Sequence, residues 1–204
     1  MKSEPIVHVV DDEEDVRGAL ALLLRSVNLG ARTYGSAQEF LDTYRGGSPG
    51  CLVVDVRLPG ISGLELQERL VKAGITLPVI VITGHGDIPM AVRAMRAGAL
   101  DFIEKPFNDQ ALIDRVHEGI RRSLHVQDAA GERAEIERRH ATLTERERQI
   151  LAQVVLGRLN KQIADELGVS TRTVETHRAH IIEKMGATSL SHLVRMAVAM
   201  TGSI

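Results

Sequence analysis

Four short, mainly apolar runs, each followed closely by a polar side chain, constrain the fold of this chain more than any other feature. The runs cover residues 6–10, 51–54, 79–82 and 99–103, and the polar residues after them are Asp11, Asp55, Thr83 and Lys105. A short apolar run bounded by turn-forming residues indicates a strand buried on both faces. Because parallel strands end at the same edge of a sheet, we expect these side chains to meet where ligands bind in open α/β sheets.

Stretches with apolar residues at helical spacing separate these runs. Residues 14–27 carry apolar side chains every three or four positions, and residues 30–34 add a short edge strand. Strand and helix alternate five times, which predicts an α/β domain with a (βα)5 doubly wound parallel sheet and right-handed crossovers. No GxGxxG fingerprint follows the first strand, so the dinucleotide-binding version is disfavoured. The last helix is predicted from Asp109 to about Arg122.

The composition excludes several classes of protein. The 204 residues are 44% hydrophobic, which is enough for one or two globular domains. The single cysteine, Cys51, lies in a predicted strand and excludes a disulfide framework. The apolar stretch at residues 19–24 is far shorter than the ~20 residues of a membrane helix, and the chain does not begin with a signal peptide. We therefore expect a cytoplasmic protein with no membrane association.

Charge and composition divide the chain into three parts. Residues 1–122 form the predicted first domain, with 14 basic and 17 acidic residues. Residues 123–141 are charged and helix-prone with few apolar anchors, and are predicted to be a helical linker. Residues 142–204 form the predicted second domain, a smaller all-α unit. From residue 141 onward there are 8 basic and 6 acidic residues, a mild excess that favours nucleic acid as a partner.

The carboxylates expected at the sheet edge suit a magnesium ion. Asp11, Asp12 and Asp55 would supply hard oxygen ligands, and the loop after Asp55 would offer a backbone carbonyl, that of Arg57. Converging carboxylates repel one another, so a divalent cation would keep all of them ionised. The sequence therefore predicts Mg²⁺ as the cofactor.

The same edge is suited to phosphoryl chemistry. Asp55 could attack phosphorus and form an acyl phosphate. Thr83 could donate its hydroxyl to a phosphoryl oxygen, and Lys105 could place a positive charge on another. His85, next to the threonine loop, is interpreted as a residue that packs within that loop.

This set of residues resembles a response-regulator receiver domain of the CheY type over roughly residues 5–122. The resemblance implies that Asp11 and Asp12 are the acidic pair, Asp55 the phosphoacceptor, Thr83 the switch hydroxyl, Lys105 the phosphate-binding lysine and Phe102 the switch aromatic. Residues 83–89 and 105–107 resemble the FixJ branch in particular. The resemblance further implies that a histidine kinase donates the phosphoryl group, and that Thr83 and Phe102 couple phosphorylation to the fourth and fifth helices.

From residue 143 the periodicity is only helical. Thr144 and Glu147 have the spacing of a capping box, and two helices joined by residues 168–170 predict a helix-turn-helix in a four-helix module. The helix from Thr171 to Met185 has an apolar face, expected to pack inward, and a polar face that could enter the major groove.

The polar face supplies the candidate DNA contacts. Arg172 and Thr176 could reach base edges, and Glu175 could accept a hydrogen bond from a cytosine amine. Contacts with phosphates, which orient the domain without reading sequence, are predicted for Lys161, Arg178 and Lys184.

Residues 143–198 resemble a LuxR-type DNA-binding domain, through residues 143–147, 160–164 and 173–177. Asn160 and Thr173, within these matching segments, complete the predicted DNA contacts. Glu175 and Ala179 depart from the pattern because they are not basic, which predicts a base readout unlike that of relatives with lysines there.

Taken together, the sequence predicts a transcription regulator resembling FixJ that is activated by phosphorylation of Asp55. Phosphorylation would reshape the face formed by residues 88–122, promote homodimerisation and let paired helix-turn-helix modules bind promoter DNA, with RNA polymerase as a further partner. Such a protein is not an enzyme but a phosphoacceptor that assists its own phosphotransfer and dephosphorylation.

Two alternatives stay open. The chain could be a regulator that binds DNA constitutively, or acts by protein contact, with a receiver that does not signal. It could also be a magnesium-dependent phosphohydrolase of the haloacid dehalogenase type. The phosphohydrolase hypothesis is disfavoured because Arg57 stands where such enzymes have a second aspartate, and because no cap domain is available to cover a substrate.

Overall fold

The computed structural model describes residues 4–84 and 88–201, which fall into two compact units that divide between Gln127 and Asp128. His85, predicted to pack within its loop, lies outside the described residues. No helix within the described ranges is both long enough and apolar enough to cross a lipid bilayer.

The first unit is built on a five-stranded parallel sheet. Its strands are β1 (Ile6–Val10), β2 (Gly30–Tyr34), β3 (Gly50–Asp55), β4 (Val79–Thr83) and β5 (Asp101–Glu104), in the order β2-β1-β3-β4-β5. Its helices are α1 (Glu14–Ser26), α2 (Ala37–Thr43), α3 (Gly63–Lys72), α4 (Ile88–Arg96) and the first part of α5 (Asp109–Ala141). The predicted doubly wound parallel sheet is confirmed.

Helices cover both faces of the sheet and create two apolar cores. On one face α2, α3 and α4 contribute Phe40, Leu66 and Ala94, and on the other face α1 and α5 contribute Leu24 and Val116. Every residue of β3 is buried, and its side chains alternate between the two cores. This double burial explains why the central strand is an unbroken apolar run.

α5 is one continuous helix of 33 residues, so the predicted end near Arg122 is wrong. Ser123, just beyond that point, is buried, and its hydroxyl accepts a hydrogen bond of 3.1 Å from the backbone N–H of Gly50. Further along, Arg133 pairs with Glu137, and Arg139 with Glu135, at helical spacing. Such pairs support a helix that has few apolar residues to pack.

The second unit contains the end of α5 and four further helices. These are α6 (Glu145–Val155), α7 (Asn160–Leu167), α8 (Thr171–Met185) and α9 (Leu190–Thr201). Their core includes Ile150, Ile163, Val174 and Ile181, together with Ile136 of α5. Gly168 ends α7 at a φ of 64°, a left-handed conformation that glycine adopts without steric cost, and this turn sets the direction of α8.

Candidate functional site

An acidic pocket lies at the carboxyl edge of the sheet, where the sequence predicts it. Asp11 follows β1, Asp55 ends β3, and Lys105 follows β5. Both carboxylates are buried, with residue exposures of 0% for Asp11 and 6% for Asp55. The Lys105 ammonium bridges them, because Nζ lies 2.7 Å from Oδ2 of Asp11 and 2.8 Å from Oδ1 of Asp55.

The charge state of Lys105 follows from this arrangement. Partial burial by itself would lower the pKa of Lys105, but hydrogen bonds to Asp11 and Asp55, together with their negative charges, raise that pKa above its ordinary value. Lys105 therefore stays protonated and holds two carboxylates together that would otherwise repel each other.

The backbone around Asp55 is tightly packed. Its Oδ2 accepts a hydrogen bond of 2.5 Å from the N–H of Arg57, the residue whose carbonyl is the predicted metal ligand. A Cβ atom at Gly63 would lie 2.1 Å from the carbonyl oxygen of Asp55, so the start of α3 can approach the end of β3 only because residue 63 is glycine. The sequence analysis did not identify Gly63, although a glycine directly after the capping residue Ser62 is a visible signal.

The two predicted switch residues lie on neighbouring strands. Thr83 is fully buried at the end of β4, and its backbone carbonyl accepts a hydrogen bond of 2.7 Å from the N–H of Lys105. Phe102 is half-buried in β5 and packs against the core that contains α4. A backbone hydrogen bond thus joins Thr83 to Lys105 of the pocket.

Asp12, the remaining predicted ligand, is exposed on the loop between β1 and α1. That loop is held by Arg17, whose Nη1 donates to the carbonyl oxygens of Asp11 at 2.7 Å and Asp12 at 2.9 Å. The sequence analysis missed Arg17. The available signal was a basic residue on the first turn of α1, five positions after Asp12.

The donor set fits a magnesium ion. Asp11 and Asp55 bring two buried carboxylates to one sheet edge, and carboxylates with water are the ligands that Mg²⁺ prefers. The exposed Asp12 follows Asp11 directly, but the three carboxylates do not all lie within 4.8 Å of one another. Lys105 supplies only one positive charge to the two buried carboxylates that it contacts. The carboxylates of Asp11, Asp12 and Asp55, with the backbone carbonyl of Arg57, are the groups that would hold the ion.

In the second unit, α8 divides its residues as predicted. Val174, Ile181 and Met185 are buried, while Arg172 and Glu175 are exposed. The hydroxyl of Ser170 caps the helix by accepting a hydrogen bond of 3.0 Å from the N–H of Thr173. A capped helix with an exposed polar face at its start has the form that major-groove recognition requires.

The other predicted DNA contacts differ in how they are held within the unit. Arg178 donates a hydrogen bond to the side chain of Asn160, which joins α7 to α8. Lys161 and Thr176 are exposed, and the Thr176 hydroxyl donates to the carbonyl of Arg172 at 3.1 Å.

Lys184 has an internal role that the sequence analysis did not anticipate. Its Nζ lies 2.7 and 2.9 Å from the two carboxylate oxygens of Glu147, whose side chain is only 4% exposed. Glu147 also accepts from the N–H of Thr144 and so completes the capping box of α6. The hydrogen bonds to Lys184 and to the Thr144 backbone lower the pKa of Glu147 to about 2. Lys184, which the sequence predicts as a phosphate contact, is thus also a structural partner of a buried carboxylate.

Comparison with known proteins assigns a family to both parts of the chain. Residues 7–117 match the response regulator receiver domain, and residues 141–197 match the bacterial regulatory proteins of the luxR family. The transcriptional regulatory protein FixJ of Azorhizobium caulinodans is 50% identical over 192 residues, which cover 94% of this chain and 91% of that protein. FixJ of Rhizobium meliloti is 48% identical over 193 residues, 95% of each chain.

Solved structures agree with this assignment. The response regulator StyR has a TM-score of 0.87 at 44% identity, covering 96% of this chain and 98% of that one. Full-length FixJ from B. japonicum has a TM-score of 0.58 at 40% identity and covers 100% of both chains.

The fold, the acidic pocket and the helix-turn-helix unit together define a two-component response regulator. The chain belongs to the FixJ type of this family, which combines a receiver domain with a LuxR-type DNA-binding domain. Its members are transcription regulators rather than enzymes, and the family implies a histidine kinase and DNA as partners.

Proposed function

We propose that Asp55 accepts a phosphoryl group from a histidine kinase in the presence of Mg²⁺, and that phosphorylation converts the protein to a homodimer that binds promoter DNA. The observation that carries this proposal is the single ammonium of Lys105 between the buried carboxylates of Asp11 and Asp55. Such an arrangement concentrates negative charge at the strand end while keeping a cation available for an incoming phosphoryl group.

In the proposed step, an oxygen of Asp55 bonds to phosphorus as the bond between phosphorus and the kinase histidine breaks. The electron pair of the broken bond returns to the histidine nitrogen. Lys105, which contacts Asp55 before the reaction, shifts to a phosphoryl oxygen, and the Thr83 hydroxyl donates to another. Mg²⁺, when bound, supplies the positive charge that balances the carboxylates and the phosphoryl oxygens. Attack by water on the same phosphorus would return Asp55 to its starting state.

A hydrophobic surface on α4 supports dimerisation as the response. Ile88, Val92 and Met95 share one face of this helix and are 80%, 43% and 49% exposed. α4 follows Thr83 in the chain, and Phe102 packs against the same core. Movement of these two side chains towards a phosphoryl group would alter the surface that a second copy meets.

For DNA binding, we propose that the exposed start of α8 reads bases through Arg172, Glu175 and Thr176. Lys161, Arg178 and Lys184 would contact phosphates, with Asn160 and Thr173 beside them. Two linked modules gain effective concentration on an operator with two half-sites, so dimerisation would strengthen binding without new base contacts. Bound at a promoter in the cytoplasm, the dimer would act through RNA polymerase.

The proposal is tested by light scattering with Mg²⁺, before and after addition of beryllofluoride as a phosphoryl mimic. We expect the mass of the wild-type protein to double, that of Asp55→Ala to stay constant, and that of the exposed control Asp42→Ala to double. A wild-type mass that does not respond, or an Asp55→Ala protein that responds equally, would contradict the proposed switch.

DNA binding is tested separately, by anisotropy with DNA selected from a random pool. Arg172→Ala should lower the preference for the selected sequence over random DNA, by about tenfold for one lost base contact. Lys161→Ala should weaken binding to both DNAs similarly, because a phosphate contact carries no sequence information. Equal effects of the two variants on sequence preference would contradict the proposed readout.

A further inference from the structure

We infer that Arg17 is a positioning residue for the magnesium site, since it holds the loop that carries both members of the acidic pair. This inference rests on the proposed function, because it concerns the same pocket. Arg17 acts through the backbone, because both of its hydrogen bonds to this loop go to peptide carbonyls and not to the carboxylates.

The geometry of Arg17 joins one side chain to two consecutive peptide groups. Nη1 donates to the carbonyl of Asp11 at 2.7 Å and to that of Asp12 at 2.9 Å. Arg17 is half-buried near the start of α1, and its own N–H bonds to the carbonyl of Glu13 at 3.0 Å. The guanidinium is therefore anchored on the helix that follows the loop it holds.

Asp11 has several supports besides Arg17. Its N–H donates to the carbonyl of Tyr34 at 3.2 Å, its Oδ1 accepts from the N–H of Glu13 at 2.9 Å, and its Oδ2 accepts from Lys105 at 2.7 Å. Asp12, by contrast, is exposed, and within residues 4–84 its loop position is held by the hydrogen bond from Arg17 to its carbonyl. Loss of Arg17 should therefore release Asp12 more than Asp11.

Two effects of Arg17 on cation binding have opposite signs. Its positive charge repels Mg²⁺, whereas its hydrogen bonds restrain the backbone that carries the Asp12 carboxylate and so limit the positions that this ligand can take. The guanidinium is partly exposed, so water and salt screen its charge. Partners that orient metal ligands typically change metal affinity by about 10–100-fold. We therefore expect the positioning effect to exceed the repulsion.

The opposite signs make the inference testable by calorimetric titration of the full chain with Mg²⁺. Arg17→Met should weaken Mg²⁺ binding about tenfold. Arg17→Lys should also weaken it, because a lysine keeps the charge but lacks the planar fork of donors. The matched control is Arg25→Met on the same helix, where Nε donates to the carbonyl of Ala21, one turn earlier, at 3.1 Å and not to the loop that carries the acidic pair. This control should bind Mg²⁺ like the wild type.

Two outcomes would overturn the inference. Tighter Mg²⁺ binding by Arg17→Met would mean that charge repulsion is the main effect, and unchanged binding would mean that the loop keeps its form without Arg17. A general loss of structure is distinguished by urea unfolding without Mg²⁺, in which Arg17→Met and Arg25→Met should differ little.

Beryllofluoride separates this inference from the proposed function. At saturating Mg²⁺, Arg17→Met should still double its mass with the mimic, because its defect lies in ion affinity. Failure of the wild type to dimerise would count against the proposed function alone, since the Mg²⁺ titration of Arg17→Met does not depend on dimerisation.

Discussion

His8 shows how strongly burial changes the chemistry of a single residue. It lies within β1, is 6% exposed, and its Nδ1 lies 2.9 Å from the hydroxyl oxygen of Tyr34. Its ring packs edge-on against Phe40 and Tyr44, at centroid distances of 5.5 and 5.2 Å. Burial, and secondly the charge of Arg32, lower the pKa of His8 to about 4. His8 is therefore a neutral core residue at physiological pH.

This lowered pKa predicts a pH dependence of stability. The unfolded chain takes up a proton on His8 below its ordinary pKa of 6.5, whereas the folded chain does so only below about 4. Stability from this group is therefore complete above pH 6.5 and falls as the pH drops towards 4, by about 3 kcal/mol.

Urea unfolding of the wild type and His8→Phe between pH 7.5 and 4 measures this effect. The variant loses the bond to Tyr34 at every pH, so the informative quantity is how the difference between the two proteins changes. We expect the wild type to lose more stability on acidification. A constant difference across the range would show that His8 titrates normally in the folded state.

At the scale of a single element, α5 carries residues of both units along one helix. Two of its glycines have contrasting surroundings. A Cβ atom at Gly131 would meet no atom within 4 Å, whereas a Cβ atom at Gly119 would lie 2.9 Å from Cβ of Cys51 in the buried strand β3. The sequence pattern of α5 does not distinguish these two positions, because only the packing around each does.

The two glycines should respond oppositely to the same substitution. Gly131→Ala should stabilise the protein by about 1 kcal/mol, because alanine favours the helix and lowers the entropy of the unfolded chain. Gly119→Ala should instead destabilise it by about 1–2 kcal/mol, because overpacking against Cys51 exceeds the gain in helix propensity. Circular dichroism during urea unfolding measures both. Stabilisation by Gly119→Ala would mean that α5 moves easily away from β3.

At the scale of the whole molecule, the last turns of α5 pack with the second unit. The sequence predicts a helical linker over residues 123–141 and a second domain from residue 142, and the compact unit that contains this domain extends back to Asp128. Ile136 is 6% exposed within its core, and Arg139 donates a hydrogen bond of 2.9 Å to the carbonyl of Met185 at the end of α8. The last turns of α5 are therefore part of the DNA-binding unit.

This boundary predicts different stabilities for two fragments. The fragment 128–204 should unfold at a higher temperature than 142–204, because the shorter one lacks Ile136 and Arg139. Ile136→Ala in the longer fragment should account for much of the difference, about 2–4 kcal/mol, while Glu132→Ala at an exposed position should change little. Equal melting temperatures for the two fragments would contradict a structural role for the end of α5.

Much of the fold and pocket follows from local signals in the sequence. Asp11, Asp55, Thr83 and Lys105 could be located because apolar runs identify parallel strands, and parallel strands bring their ends to one edge. The capping box of Thr144 and Glu147 was equally visible, since its two residues are three positions apart. These features depend on periodicity and spacing within short segments.

Only the tertiary structure decided which distant side chains become partners. The sequence shows Lys184 only as a basic residue near the end of α8, and its contact with Glu147, 37 positions away, exists only in the folded chain. The contacts of α5 are likewise tertiary, since Ser123 meets Gly50 of the first unit and Ile136 enters the core of the second. The sequence by itself determined the elements, the edge that carries the carboxylates and the family. The structure decided the packing of residues 128–141, the partner of Lys184 and the contacts of Arg17, because these depend on distances that arise only when separate segments pack together.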